Sequence, residues 1–225
     1  MIRVKCLSSD YDGTISPISV SRAESRVPLE TRVMLGRISS FLPISIITMK
    51  DLFFIMPRTP FARAWSAIGG LEMRVGKRVL KKESLEHRLA GISRAVDYAK
   101  SHIANAGVEI EEKQDSEGHT VAFCVDWRRA QHPKAAKQEA EQVAVYCREL
   151  RLKLIRYETQ PFFDVYPVAP DKGWALQEMA NELGVKSGVL YMGDSETDNS
   201  AFKASTVSIG VVHDETPLQG LNCEY

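Results

Sequence analysis

Two short acidic motifs, each placed where a run of strand-like residues ends, constrain this chain more than any other feature. Asp10-Tyr11-Asp12-Gly13-Thr14 follows an alternating stretch at residues 2–8, and Gly193-Asp194-Ser195-Glu196-Thr197-Asp198 follows an apolar stretch at residues 188–192. Short, β-branched apolar runs belong to parallel sheets covered on both faces, and in such sheets ligands gather beyond the carboxyl ends of the strands. Because the motifs lie near opposite ends of the chain, one sheet that joins them must be built from both ends. The flanking pattern agrees. Pro28 opens a predicted helix whose apolar positions Leu29, Val33, Ile38 and Phe41 keep helical spacing up to Leu42-Pro43, and Ile44-Ser45-Ile46-Ile47 reads as a buried strand ending at Thr48. Near the other end, a helix over residues 173–183 closed by Gly184 precedes the 188–192 strand, and a short helix and a strand at 206–211 follow it. Helix and strand alternating in this way predict an α/β fold with a parallel sheet.

The middle of the chain has a different rhythm. Leu85, Leu89, Ile92, Val96, Ala99 and Ile103 step by three or four along one face, which predicts a helix over 81–106 capped by Gly107. Strands at 108–113 and 119–127 form a hairpin around Asp115-Ser116-Glu117-Gly118, with Val121, Phe123, Val125 and Trp127 on the buried side. Pro133 opens a helix to about residue 150, and strands at 152–157 and 162–166 follow. The order αββαββ, with antiparallel-looking strands, marks a block inserted into the α/β core. The boundaries expected are core 1–80, inserted domain 81–166 and core 167–225.

Charge narrows the choice of partner. Lys and Arg total 29 and so do Asp and Glu, leaving a formal net charge of zero. Nucleic-acid and membrane-surface binders carry a basic surplus, so neither partner is expected. A hydrophobic content of 44% implies a packed core. Cys6, Cys124, Cys147 and Cys223 are scattered, with no zinc-ligand spacing, and read as reduced thiols; no secretory or membrane-spanning pattern is present, so a cytoplasmic protein is expected. His87, His102, His119, His132 and His213 form no ligand or triad spacing, and the oligomeric state stays open, with a monomer as the simpler expectation.

Strand-end placement brings Asp10, Asp12, Thr48, Asp194 and Asp198 to one crevice. Carboxylates gathered so closely repel one another unless a cation neutralises them, and an all-oxygen set selects Mg²⁺ over Zn²⁺. The Thr48 hydroxyl and the Lys172 ammonium, at a predicted helix start, are suited to phosphoryl oxygens. Together these residue types are suited to phosphoryl transfer.

The four ordered segments, Asp10-Tyr11-Asp12-Gly13-Thr14, Thr48, Lys172-Gly173 and Gly193 to Asp198, resemble the four motifs of the haloacid dehalogenase-like (HAD) phosphatase superfamily. The resemblance implies a Rossmann-like HAD core with an inserted α+β cap, and a phosphoric monoester hydrolase. It implies that Asp10 is the nucleophile and Asp12 the general acid and base. Asp10, Asp12 through its main-chain carbonyl, and Asp194 would hold Mg²⁺, with Asp198 completing the acidic metal set from behind. Thr48 and Lys172 would bind the phosphoryl group. Within the superfamily, Asp12-Gly13-Thr14-Ile15-Ser16-Pro17-Ile18 and the αββαββ cap resemble trehalose-6-phosphate phosphatases and related sugar-phosphate phosphatases. Glu111-Glu112-Lys113-Gln114-Asp115-Ser116 resembles their sugar-contacting stretch, which implies substrate-binding roles for Glu111, Lys113, Ser116 and, beyond it, Arg128. Two positions depart from that pattern: Thr48-Met49-Lys50 stands where Ser-Gly-Arg is usual, and Gly69 stands where histidine often lies. The reaction expected is hydrolysis of a small phosphorylated sugar such as trehalose 6-phosphate. A sugar phosphomutase, a phosphatase of a phosphoglycosyl acid or phosphoglycolate, and a phosphosugar-binding regulator without catalysis remain open.

Overall fold

The computed structural model describes residues 3–18, 20–83, 85–157, 160–212 and 220–225, without the side chain of Glu86. Ile2, the predicted start of the first strand, and His213 lie outside them. The chain divides into two compact units, Met1–Lys81 with Asp171–Tyr225, and Lys82–Pro170.

Among the described residues the first unit holds a seven-stranded sheet in the order β11-β10-β1-β2-β3-β4-β5. Its strands are β1 (Cys6–Ser9), β2 (Ile44–Ile47), β3 (Ala64–Ala67), β4 (Glu72–Val75), β5 (Arg78–Lys81), β10 (Val189–Gly193) and β11 (Val207–Gly210). The helices are α1 (Leu29–Ile38), α2 (Leu52–Arg58), α5 (Lys172–Glu182) and α6 (Asn199–Ala204). β1 lies between β2 and β10, parallel to both, so the N-terminal strand is the centre of a sheet completed by the C-terminal part of the chain. All four residues of β1 and of β2 are buried, as strands covered on both faces require. Cys6, Ile47, Ala64, Met73 and Tyr191 pack on one face against Ala175, Leu176 and Met179 of α5 and Phe202 of α6.

The second unit is an antiparallel sheet, β6-β7-β9-β8, backed by two helices. Its elements are α3 (Leu89–His102), β6 (Glu109–Gln114), β7 (Thr120–Asp126), α4 (Pro133–Glu149), β8 (Lys153–Arg156) and β9 (Phe162–Tyr166). Phe123, Val125, Phe163 and Val165 join Ile92, Val96, Ala140 and Val143 in one core. Side chains alternate across a strand, so Cys124 and its register partner Asp164 lie on the opposite face of the sheet. That face is polar.

The structure corrects the sequence reading in several places. The helix expected from residue 81 starts at Leu89, because Lys81 closes edge strand β5 and a 3₁₀ turn at Glu86–Arg88 intervenes. It ends at His102, with Ile103 turning to extended backbone, so Gly107 belongs to the later turn into β6 and is no cap. Apolar spacing in α1 does not mark a core face: Leu35 is the buried residue, while Leu29, Val33, Met34 and Phe41 are 66%, 47%, 61% and 87% exposed. Elements α2 and β3 to β5 had no counterpart in the sequence reading. Pro57 inside α2 hides its helical period, and β4 and β5 are four-residue strands joined by a tight turn at the sheet edge. Among the described residues no helix is long and apolar enough to cross a membrane.

The cap core is tightly closed, with Phe163 fully buried between the sheet and both helices. Phe163→Ala should therefore destabilise this unit by about 3–5 kcal/mol, read by urea denaturation followed by circular dichroism. A cost below about 1 kcal/mol would contradict the packing described.

Candidate active site

β1 ends at Ser9 and β10 at Gly193, and the two strands are register neighbours, so Asp10 and Asp194 leave the sheet side by side. Gly13 makes this possible. Its φ is +78°, and a Cβ there would lie 2.1 Å from Asp194 Oδ2. Only glycine lets the loop after β1 pass so close to that carboxylate. Thr14 Oγ1 donates to Asp194 Oδ1 at 3.0 Å and fixes its orientation.

Asp10, Asp194 and Asp198 are all buried, and one carboxylate oxygen of each lies within 4.8 Å of the others. Between them stands Lys172, the first residue of α5. Its Nζ is 2.8 Å from Asp10 Oδ2 and 2.7 Å from Asp198 Oδ1. Asp171 N-caps α5 by accepting from the amides of Gly173 and Trp174, which sets the helix start and with it the lysine. Asp198 is held on all sides. Oδ1 also accepts from Tyr191 Oη at 2.6 Å, and Oδ2 accepts from the amides of Asp194 and Ser195 and from Ser195 Oγ at 3.1–3.2 Å. With its oxygens engaged by these donors, Asp198 orients Lys172.

Charge in this cluster is unbalanced: three buried carboxylates face one ammonium. Burial pushes the Asp10 carboxyl well above the ordinary carboxylate value; Asp198 and Asp194 add to the rise, and Lys172 opposes it. Burial alone would lower the Lys172 pKa, but Asp10 and Asp198 outweigh it and hold the amine above the ordinary lysine range. The all-oxygen donors Asp10 and Asp194, beside a residual negative charge, fit a hard divalent cation.

Asp12 stands apart from that triad. It is half-buried, with Oδ1 accepting from Ser25 Oγ at 3.4 Å and Oδ2 4.0 Å from Lys50 Nζ. Ser25 is itself buried, hydrogen-bonded to Ser16 Oγ at 2.9 Å, and its carbonyl accepts from Arg58 Nε at 3.0 Å. Arg58 lies 3.9 Å from the centre of the Phe54 ring, and Phe54 meets Tyr11 edge-on at 5.7 Å. Thr48 is buried at the end of β2, the strand next to β1, and its Oγ1 accepts from the Lys50 amide at 3.2 Å. Ser25 and Tyr191 escaped the sequence reading. Ser25 sits in a loop without periodicity, and Tyr191 looks like one more apolar strand residue.

The sugar-contacting residues implied by resemblance lie in the second unit. Lys113 is buried, its Nζ donating to Asp164 Oδ1 at 2.6 Å and to Tyr166 Oη at 3.2 Å, while Tyr157 Oη donates to Asp164 Oδ2 at 3.0 Å. Burial would lower the Lys113 pKa, but Asp164 outweighs it and holds the amine charged. Glu111 is two residues away on the same face of β6. Ser116 and Arg128 lie at opposite ends of the hairpin, since Glu109 pairs with Asp126 and Gln114 with Thr120. Arg128 is paired with Asp126 and lies over Phe162, 5.0 Å from its centre. Asp164 and Tyr157, unmarked in the sequence, complete the network. His119 joins Asp115 and Glu117 in an acid–histidine group at the hairpin turn, where Asp115 Oδ1 accepts from the amides of Glu117 and His119 at 2.9 Å.

Two outcomes follow from the charge cluster. Lys172→Met leaves Asp10 and Asp198 buried without their counter-charge and should cost about 3–5 kcal/mol, measured by denaturant unfolding in chelator; wild-type stability would contradict the bridge. The second concerns pH. A carboxyl whose folded pKa is raised stabilises the fold below its unfolded value, 3.8, and loses that contribution as pH rises toward the folded value. Metal-free wild type should thus lose stability relative to Asp10→Asn as pH rises above the unfolded value, in parallel urea titrations. A pH-independent difference would overturn the account.

Comparison with solved structures reproduces the fold. A trehalose-6-phosphate phosphatase related protein aligns with a TM-score of 0.75 at 17% identity, covering 96% of this chain and 90% of its own. The C-terminal domain of the Candida albicans trehalose-6-phosphate phosphatase aligns at 0.70 and 20% identity, over 90% of this chain and 73% of that one. A haloacid dehalogenase-like hydrolase from Bacteroides thetaiotaomicron aligns at 0.69 and 13% identity, covering 94% and 90%. No curated protein sequence matches. The sequence model of sucrose-6F-phosphate phosphohydrolases matches residues 70–221, more than half of the chain, including Lys172, Asp194 and Asp198. With the HAD-type core and inserted cap already described, that match assigns the chain to the sucrose-6F-phosphate phosphohydrolase family of HAD-like phosphoric monoester hydrolases.

Proposed function

We propose that this protein is a Mg²⁺-dependent phosphatase that releases phosphate from a small phosphorylated sugar through an aspartyl-phosphate on Asp10. The observation that carries this reading is the Lys172 ammonium bridging Asp10 and Asp198 within a buried triad of carboxylates at the ends of β1 and β10. The lysine holds the Asp10 carboxylate in one orientation and supplies positive charge where a phosphoryl group would arrive. Thr48 donates its hydroxyl to a phosphoryl oxygen. Asp10 and Asp194, with the main-chain carbonyl of Asp12, would hold Mg²⁺, which when bound neutralises the carboxylates and draws charge from the phosphoryl oxygens. Asp198 serves that set indirectly, through Lys172.

The chemistry takes two steps. As the Asp10 oxygen bonds to phosphorus and the phosphorus–oxygen bond to the sugar breaks, Asp12 passes its proton to the departing oxygen. Asp12, now a carboxylate, takes a proton from water as that water attacks phosphorus, which frees Asp10 and inorganic phosphate. Ser25 and Lys50, on the two Asp12 oxygens, keep it outside the triad and aimed for both transfers. The sugar is assigned to Glu111, Lys113, Ser116 and Arg128; support comes from the buried Lys113–Asp164 pair, which fixes an ammonium on the polar face of β6.

A panel of sugar phosphates including sucrose 6-phosphate, trehalose 6-phosphate and a phosphoglycosyl acid tests the proposal by free-phosphate release. Turnover should require Mg²⁺, vanish with chelator and fall at least about a thousandfold in Asp10→Asn while the fold is retained. Appearance of an isomerised sugar phosphate in place of free phosphate would identify a mutase. Binding without release would leave a regulator.

A further inference from the structure

We propose that the exposed face of α1 is the contact surface of a two-fold homodimer. At roughly 100° per residue, Leu29, Val33, Arg37, Glu30 and Met34 fall within one arc of about 140°, and Phe41 stands just past the helix end. Leu29, Val33, Met34 and Phe41 are 47–87% exposed. Single exposed apolar residues need no explanation, but four on one short helix and its exit turn, with Glu30 and Arg37 among them, are an unusual concentration. The opposite side of the helix already meets the core through Leu35. α1 therefore turns most of its large apolar side chains away from the core of its own chain.

The charges on the outer face select the occupant. Glu30 lies in the first turn and Arg37 in the last, close to the middle of the arc. Among the described residues neither forms an ion pair within its own chain. When two copies of a helix pack antiparallel across a two-fold axis at the level of Val33 and Met34, each Glu30 meets the partner's Arg37. The same operation sets Val33 and Met34 against their own copies. An isologous contact of this kind is self-complementary, giving two ion pairs around an apolar centre. An unrelated partner would have no reason to match a pattern that matches itself.

Sedimentation-velocity ultracentrifugation of the full chain at about 1–200 µM tests the proposal, a range suited to a contact of modest area. Wild type should show a concentration-dependent monomer–dimer equilibrium. E30R and R37E each place like charges in both ion-pair positions, so each alone should weaken dimerisation at least about tenfold. An equimolar mixture of the two variants restores opposite charges at both positions and should recover the dimer. Circular dichroism melts confirm that these exposed substitutions leave the fold intact. The proposal is overturned if wild type stays monomeric across the range, if either variant dimerises like wild type, or if the mixture stays monomeric.

Discussion

One ammonium among three buried carboxylates sets the terms for the rest of the core. Lys172 belongs to α5, Asp10 to the end of β1, and Asp194 and Asp198 to the segment after β10, so the pairing ties together parts of the chain remote in sequence. A buried ion pair with one partner missing is strongly destabilising, which forces these elements into register. Other features serve it: Gly13 lets the first loop pass Asp194, Asp171 fixes the start of α5, and Tyr191 and the amides around Ser195 satisfy Asp198. The cluster stays short of neutrality, a deficit that a hard divalent cation would fit.

The two units solve different physical problems. The first buries charge and needs fixed geometry. The second places an apolar core on one face of a sheet and leaves a polar network, Lys113 with Asp164, Tyr157 and Tyr166, on the other. Buried polar groups of this kind are stable only when each has a partner, and their fixed directions suit recognition of hydroxyl groups. The buried charge cluster and the polar network thus belong to separate units of the chain.

Much of this was legible in the sequence, for identifiable reasons. The gathering of Asp10, Asp194, Asp198 and Lys172 could be foreseen because each follows a short buried strand or starts a helix at one end of a parallel sheet. Periodicity located α3 and Pro133 located α4, but neither marked the true start of α3, where an edge strand and a 3₁₀ turn precede it without breaking the apolar spacing. Residues 52–80 were opaque because Pro57 interrupts α2 and the edge strands are too short to show alternation. Asp164 and Ser25 could not be read from spacing, since their partners Lys113 and Asp12 are brought to them by tertiary structure alone. In α1 the helix was found but its buried side was not: Leu35 occupies it, and none of Leu29, Val33, Ile38 and Phe41 is buried.

The order of strands bears on how the molecule is made. β1 is synthesised well before β10, so one of its two edges stays without a strand until residues 189–193 have been made. The Lys82–Pro170 unit, in contrast, contains every strand of its own sheet and emerges complete before that moment. Domains tend to fold as units during synthesis, so the inserted unit can reach its native state while the flanking core is still waiting. The nascent core must keep the open hydrogen-bonding edge of β1 from pairing elsewhere in the interval. The seven-stranded sheet, and the site built on it, can close only after the inserted unit has been made.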